Sequence, residues 1–207
     1  MVKLLCKKDN EAIEQAIAQA EQRTRAEIVV AVIHSSDNYL DFILLYGLLF
    51  VDFLSLGLWV SKINTHFLEL LALQLGILLS LFFIPVLRHL FWRLVPKCIL
   101  HQRSARRALE EHHIVHRQLP ATAPLVLLFI SIGEHYTHIL SSHVVYDKIP
   151  DKHWNTVIDG FAKTMSSGGL ATACIFAIEQ IGDILTQHFP ENGESHVFSN
   201  QVIERDY

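Results

Sequence analysis

Residues 40–60 read LDFILLYGLLFVDFLSLGLWV and residues 67–87 read FLELLALQLGILLSLFFIPVL, with only SKINTH between them. Each stretch is 21 residues long, the length an α-helix needs to cross about 30 Å of hydrocarbon. In the first, fourteen of the twenty-one residues are Leu, Ile, Val or Phe. Together they favour insertion by about 4 to 8 kcal/mol, and Asp52 near the centre opposes it by about 3 kcal/mol at most. The apolar sum wins. In the second stretch Glu69 lies near the start and Gln74 deeper, while Pro85 falls in the last turn, where a lost backbone hydrogen bond does little harm. The pair is expected to form a two-pass transmembrane hairpin. A buried helical pair in a soluble protein would need a larger shell than a chain of 207 residues offers.

Orientation follows from the basic residues beside the spans. The turn at 61–66 holds one, Lys62, whereas six follow the second span: Arg88, Arg93, Lys97, Arg103, Arg106 and Arg107. Arg23 and Arg25 precede the first. These charges place both termini and the flanking domain on the cytoplasmic side of the plasma (inner) membrane, with the turn outside. Trp59, Phe91 and Trp92 suit the interfaces. The basic residues are expected to face anionic lipid. Asp52, Glu69 and Gln74 are the polar residues of the spans. They suggest either a pair that ties helices together, Asp52 with Gln74 or with a second copy, or an ion or proton path, which two helices could enclose only by oligomerising.

Outside the hairpin the chain reads as a globular domain in two pieces, 9–33 and 97–190, with a polar tail at 191–207. Asp9–Thr24 has Ile13, Ala16, Ile17 and Ala20 on one helical face, with Asp9 or Asn10 as its cap. EIVVAVI (27–33) and LVLLFISI (125–132) are short, apolar and β-branched, as buried strands are. Residues 97–118 predict a helix. His135–Val145 alternates, which predicts a third strand after a tight turn at Gly133-Glu134; His135 and His138 are expected to face solvent. Asp151 is expected to cap a helix ended by Gly168-Gly169, and Leu170–His188 forms the last helix. The order α-β-(hairpin)-α-β-β-α-α predicts a small α/β sheet covered by helices on both faces, an α/β/α sandwich with the hairpin inserted after its first strand.

Hydrophobic residues reach 51% and charged residues 18%, with a net charge of −4. A chain with that balance is not a general nucleic-acid binder, which needs excess cationic charge. Cys6, Cys98 and Cys174 are widely spaced and odd in number, a pattern of free thiols rather than a disulfide framework. Met1–Asn10 carries basic residues with no apolar segment behind them. No cleaved signal peptide is therefore expected, and the first span is expected to target the protein.

The segments AIEQAIAQAEQRTRAEIVVAV, ARRALEEHHI, LVLLFISIGEHYTHIL, DKHW and GLATACIFAIEQIGDILTQHFP follow one another as in the TPM domain family, named for thylakoid-lumen, photosystem-repair and receptor-modulating members. The chain resembles a bacterial membrane-anchored branch of it over residues 9–33 and 103–190. The resemblance implies an α/β/α sandwich. It also implies the weak acid phosphatase activity, or the binding of a divalent cation such as calcium, known for some members. Two departures weaken those activities. Ser142-His143-Val144 stands where relatives carry Asp-Arg-Gly, so a carboxylate is missing, and Ala121-Thr122-Ala123 replaces Arg-Thr-Gly. Glu134 and Arg106 match the family.

Phosphoryl transfer needs a nucleophile or metal-held water and cationic groups for the phosphate. The chain has no G-x-x-x-x-G-K-[ST], G-x-S-x-G or H-E-x-x-H. Glu134, Asp147 and Asp151 are the carboxylates to consider, Asp151 doubling as a helix cap. His112 and His116 are four residues apart and share a helix face, a weak bidentate metal motif without a third ligand. The expectation is a non-enzymatic, membrane-tethered interaction or maintenance module whose partners are lipid, other membrane proteins or itself. A weak phosphatase or metal-binding domain is the alternative.

Overall fold

A computed structural model describes residues 5–60, 67–83, 94–120, 122–191 and 202–205. The chain is mixed α/β and divides into two units. One joins the residues up to Ser36 with those from His101 onward; the other is Asp37–Leu100.

In the α/β unit, β1 is Glu27–Ile33, β2 is Leu125–Ser131 and β3 is Tyr136–Ser141. A further short strand, β4, is Ile203–Arg205, and the sheet order is β3-β2-β1-β4. β1 runs parallel to β2, with Glu27 opposite Leu125 and Ile33 opposite Ser131. β3 returns antiparallel to β2, with Phe129 opposite His138. Every residue of β1 and β2 is buried, because alternate side chains enter two different cores. Ile28, Val30, Val32, Val126, Leu128 and Ile130 point to one face. Val29, Ala31, Ile33, Leu125, Leu127 and Phe129 point to the other.

Helices cover both faces. α1 (Lys7–Glu21) buries Ile13, Ile17 and Ala20 on the first. α4 (Lys97–His116) places Ala108 and Val115 on the second. It forms the crossover that parallel strands require, so the connection from β1 to β2 contains the whole of Asp37–Leu100. The long helix α6 (Asp151–His188) returns to the first face with Trp154, Val157, Phe161, Cys174, Ile178 and Leu185. Each such side chain, fully buried, contributes roughly 1.5–3 kcal/mol. Gly169 takes φ 82° and ψ −179°, a region open in practice only to glycine, and bends α6 back on itself. A Cβ at Gly160 would come within 2.5 Å of the Phe176 ring, a meeting that residues sixteen apart in a straight helix never have. The sequence-predicted stop at Gly168-Gly169 is this bend.

Five expectations need correction. The cap of α1 is Cys6, and Asp9 sits one turn in, where its carboxylate accepts the Cys6 N–H at 3.2 Å. Asp151 is the first helical residue of α6 behind Pro150 and makes no side-chain cap bond. The third strand ends at Ser141 and the chain turns into a short helix, α5 (His143–Tyr146). There Ser142 bonds back to Leu125: its N–H donates to the Leu125 carbonyl and its hydroxyl accepts the Leu125 N–H. His138 is half-buried against Tyr136, with ring centroids 5.9 Å apart, instead of facing solvent. Finally, the polar tail is not wholly loose: β4 pairs with β1, Ile203 opposite Ala31.

The second unit contains α2 (Leu40–Val60) and α3 (Phe67–Phe83), which pack against one another. α2 has the predicted bounds; the last four residues of the second predicted span, 84–87, lie outside the described residues, as do Arg88, Phe91, Trp92 and Arg93.

Candidate functional site

The parallel strands β1 and β2 end side by side at Ile33 and Ser131, and the carboxyl ends of such strands are where α/β proteins build sites. Two features occupy this end. The first is a buried polar cluster. Glu134, in the turn 132–135, is 3% exposed and points inward. One carboxylate oxygen accepts the Ser36 N–H at 2.8 Å and the Ser35 hydroxyl at 3.0 Å, and the other accepts the Ser131 hydroxyl. The Ser36 hydroxyl donates onward to Ser104 of α4 at 2.9 Å and stands 3.2 Å from Ser131. Ser36 is the last residue of the unit before Asp37–Leu100, and Ser104 follows shortly after it. The cluster therefore closes the domain across its own interruption.

The second feature is a cavity of about 440 Å³ beside the cluster. Ile130, Ile158, Phe161 and Met165 make its apolar floor; His101, His135, Tyr136 and Thr137 are its polar lining. Tyr136 packs between Phe129 and His101, with centroids 6.4 and 5.6 Å away. Burial raises the Tyr136 pKa above the usual 10, so its phenol remains a proton donor. His135 holds φ 50°, a left-handed backbone uncommon for a non-glycine residue, and this turn sets its imidazole at the cavity.

The sequence-predicted carboxylates are not brought together. Glu134 precedes β3 and turns both oxygens into the polar cluster, whereas Asp147 and Asp151 follow the strand and are exposed. Asp147 pairs with His143 of α5 at 3.0 Å with both side chains exposed. Asp151 is exposed; its charge raises the pKa of His138 against the larger lowering that burial causes. Among the described residues no three His, Cys, Asp or Glu side chains group as metal ligands. His112 and His116 do share a face of α4, with centroids 5.7 Å apart. Burial first, then the neighbouring His116 and His113, lower the His112 pKa. Cys174 is buried in the core and its thiol is pushed up to about 12 by burial.

The basic residues of α4 differ in exposure and pairing. Arg107 is 15% exposed and bonds Glu111 at 2.7 Å and Glu110 at 3.2 Å, and Arg106 reaches Glu110 at 3.2 Å. Arg107 is thus an ion-pair partner on its own helix, while Arg106 is 83% exposed. Arg103 lies half-buried on the same helix, and Lys97 is exposed at its start.

In the other unit, fourteen of the seventeen exposed large apolar residues among the described ones belong to α2 and α3, nine and five respectively. Asp52 is exposed on α2, and Glu69 on α3 is exposed while Gln74 is half-buried. The expected pairing of Asp52 with Gln74 is not formed among the described residues. Two described helices are long and apolar enough to cross a membrane, Leu40–Leu58 and Asp151–His188. The bend at Gly169 and the buried stripe of the second account for it as a core helix. Leu40–Leu58 has a mean hydropathy of 1.9 and only 17% of it is buried; Leu68–Ile77 of α3 is a shorter apolar stretch.

No protein-family model matches this chain, and no curated protein does. Among solved structures it is similar to the BA42 protein from the psychrophilic bacterium Bizionia argentinensis, determined by NMR. The TM-score is 0.62 at 15% sequence identity, covering 99% of this chain and 98% of that one. A likeness at that identity speaks for the fold.

Proposed function

We propose that this chain is a two-pass membrane protein of the TPM domain type, whose hairpin holds a split α/β/α domain at the cytoplasmic face of the plasma membrane, where the domain acts as an interaction or maintenance module and not as an enzyme. The observation that carries the reading is the apolar surface of α2 and α3. Fourteen large apolar side chains lie exposed there, far more than an isolated apolar patch on a soluble protein, and lipid is the solvent in which that surface is stable. The orientation is supported by the single Lys62 in the turn against six basic residues after the second span. Asp52, exposed and without a side-chain partner among the described residues, supports association through the hairpin with another membrane protein or a second copy. The commitment of both Glu134 oxygens inside the domain and the exposure of Asp147 and Asp151 support a non-catalytic role.

Membranes from cells expressing the chain, washed in alkaline carbonate, are expected to retain it until detergent is added; release by the wash overturns the reading. With the other cysteines replaced, Cys98 is expected to be shielded from an impermeant thiol reagent and a cysteine at Asn64 to be labelled. The reverse pattern refutes the orientation. Phosphomonoester hydrolysis by the purified protein, abolished by Asp147→Asn or Asp151→Asn, would overturn the non-enzymatic part.

A further inference from the structure

We infer that the cavity beside the β2–β3 turn is a binding site for a small amphiphilic carboxylate, an apolar ring or short alkyl chain bearing one anionic head. The inference stands apart from the membrane reading, since every residue it uses belongs to the α/β unit. A volume of about 440 Å³ lies in the range of small-molecule sites and toward its lower end, which fits a compact ligand. The floor of Ile130, Ile158, Phe161 and Met165 offers burial to an apolar body and no polar partner to anything else. The lining is the discriminating part. The Tyr136 and Thr137 hydroxyls and the His101 and His135 ring nitrogens make no hydrogen bond among the described residues, and all four groups can donate one. Tyr136 and Thr137 are half-buried and line the cavity, so an acceptor seated there is within their reach.

The sign of the ligand follows from what is turned away. The carboxylate nearest in sequence, Glu134, has both oxygens committed to Ser35, Ser36 and Ser131 inside the domain, and no Asp or Glu lines the cavity. Ser131 touches the cavity but gives its proton to Glu134. What remains is a set of donors around an apolar floor with no negative charge among them. An anionic oxygen head on an apolar body accepts from all of these donors; a cationic head keeps the apolar floor but finds only lone pairs on hydroxyls and ring nitrogens and no carboxylate to pair with, and an alcohol meets the donors with a weaker acceptor.

The test uses the full chain purified in detergent and saturation-transfer NMR with five water-soluble probes: 3-phenylpropionate, octanoate, 3-phenylpropylamine, 3-phenylpropanol and phenyl phosphate. The carboxylates are expected to bind at least tenfold more tightly than the amine or the alcohol. Tyr136→Phe, which keeps the ring packing, is expected to weaken 3-phenylpropionate about tenfold, as loss of a hydrogen bond to a charged group does. Met165→Trp, filling the floor, is expected to abolish the signal; Ala162→Leu is the second filling variant should the first fail to fold. Preference for octanoate over 3-phenylpropionate would assign the ligand to lipid-derived acids, and the opposite preference to free aromatic acids; either supports the site. Equal binding of the amine, tighter binding of phenyl phosphate than of either carboxylate, or binding unmoved by Tyr136→Phe and by a folded filling variant would overturn the inference.

Discussion

Replacing Glu134 by alanine removes the acceptor around which the two halves of the α/β unit meet. The largest loss is at the half-buried Ser36 N–H, which donates at 2.8 Å to the carboxylate: losing a hydrogen bond to a charged group costs about 1.5–3 kcal/mol. The hydroxyls of Ser35 and Ser131 lose charge-assisted bonds, but both can rotate, and Ser131 lies 3.2 Å from the Ser36 hydroxyl as a substitute; about 0.5–1 kcal/mol each is a fair charge. Relief of the buried carboxylate's desolvation works the other way. The net is a destabilisation of about 3 kcal/mol. Glu134→Gln keeps one oxygen for Ser35 and Ser36 and turns its amide toward Ser131, so its cost is nearer 1 kcal/mol. Denaturant unfolding of the full chain, followed through buried Trp154 (4% exposed), reads the global loss. Hydrogen exchange at Ser36 reads the local one, with a loss of about 3 kcal/mol accelerating exchange more than a hundredfold. A Glu134→Ala protein within about 0.5 kcal/mol of the parent, with Ser36 still protected, refutes the idea that this cluster holds the interrupted domain shut.

Two further outcomes follow from packing and charge. Gly182→Ala puts a Cβ 2.8 Å from the Cβ of Ala20 and 3.5 Å from its Cα, so α1 and α6 must separate; the overpacking cost of about 1–3 kcal/mol exceeds the helix-propensity gain of up to about 1 kcal/mol, and a lowered unfolding midpoint checks it. His112 and His138 have pKa values lowered from 6.5 in the fold, so their stabilising contribution is present above pH 6.5 and fades as pH falls through their folded values; the melting temperature is expected to drop between pH 7 and pH 5, and to drop less in His112→Gln.

The two central strands were legible in the sequence because each carries its own answer. Glu27–Ile33 and Leu125–Ser131 are apolar on both faces and bury both. α2 was legible for the same reason, its composition being the whole signal. The end of β3 was not, because the β-branched Val144 and Val145 read as more strand, while the Ser142 bonds to Leu125 that end the strand depend on a residue seventeen positions away. β4 was missed because Ile203–Arg205 is short and polar and is a strand only through its pairing with β1. The same limit applies to the site. Glu134 could be singled out from the turn, but its partners Ser35 and Ser36 lie 99 and 98 residues away, and Ser36 in turn reaches Ser104 on α4. A lone serine carries no pattern that announces such a partner. Tyr136 and Thr137 sat in plain view as alternating strand residues, and only the cavity beneath them sets them apart.

The insertion within the β1–β2 crossover also sets a timetable. Ile33 and Leu125 are separated by about ninety residues of chain, which a ribosome adds in roughly 5–20 s. Throughout that interval β1 has left the ribosome with six apolar residues in a row and no neighbouring strand, while the hairpin is still being delivered. The thermodynamic penalty for so long a loop is small, since closure entropy grows only with the logarithm of length. The exposure is kinetic. A nascent chain of this design has to shelter one sticky segment until its mate is synthesised, and substitutions that slow delivery of the hairpin should show first as aggregation of β1, before any loss of stability in the finished protein.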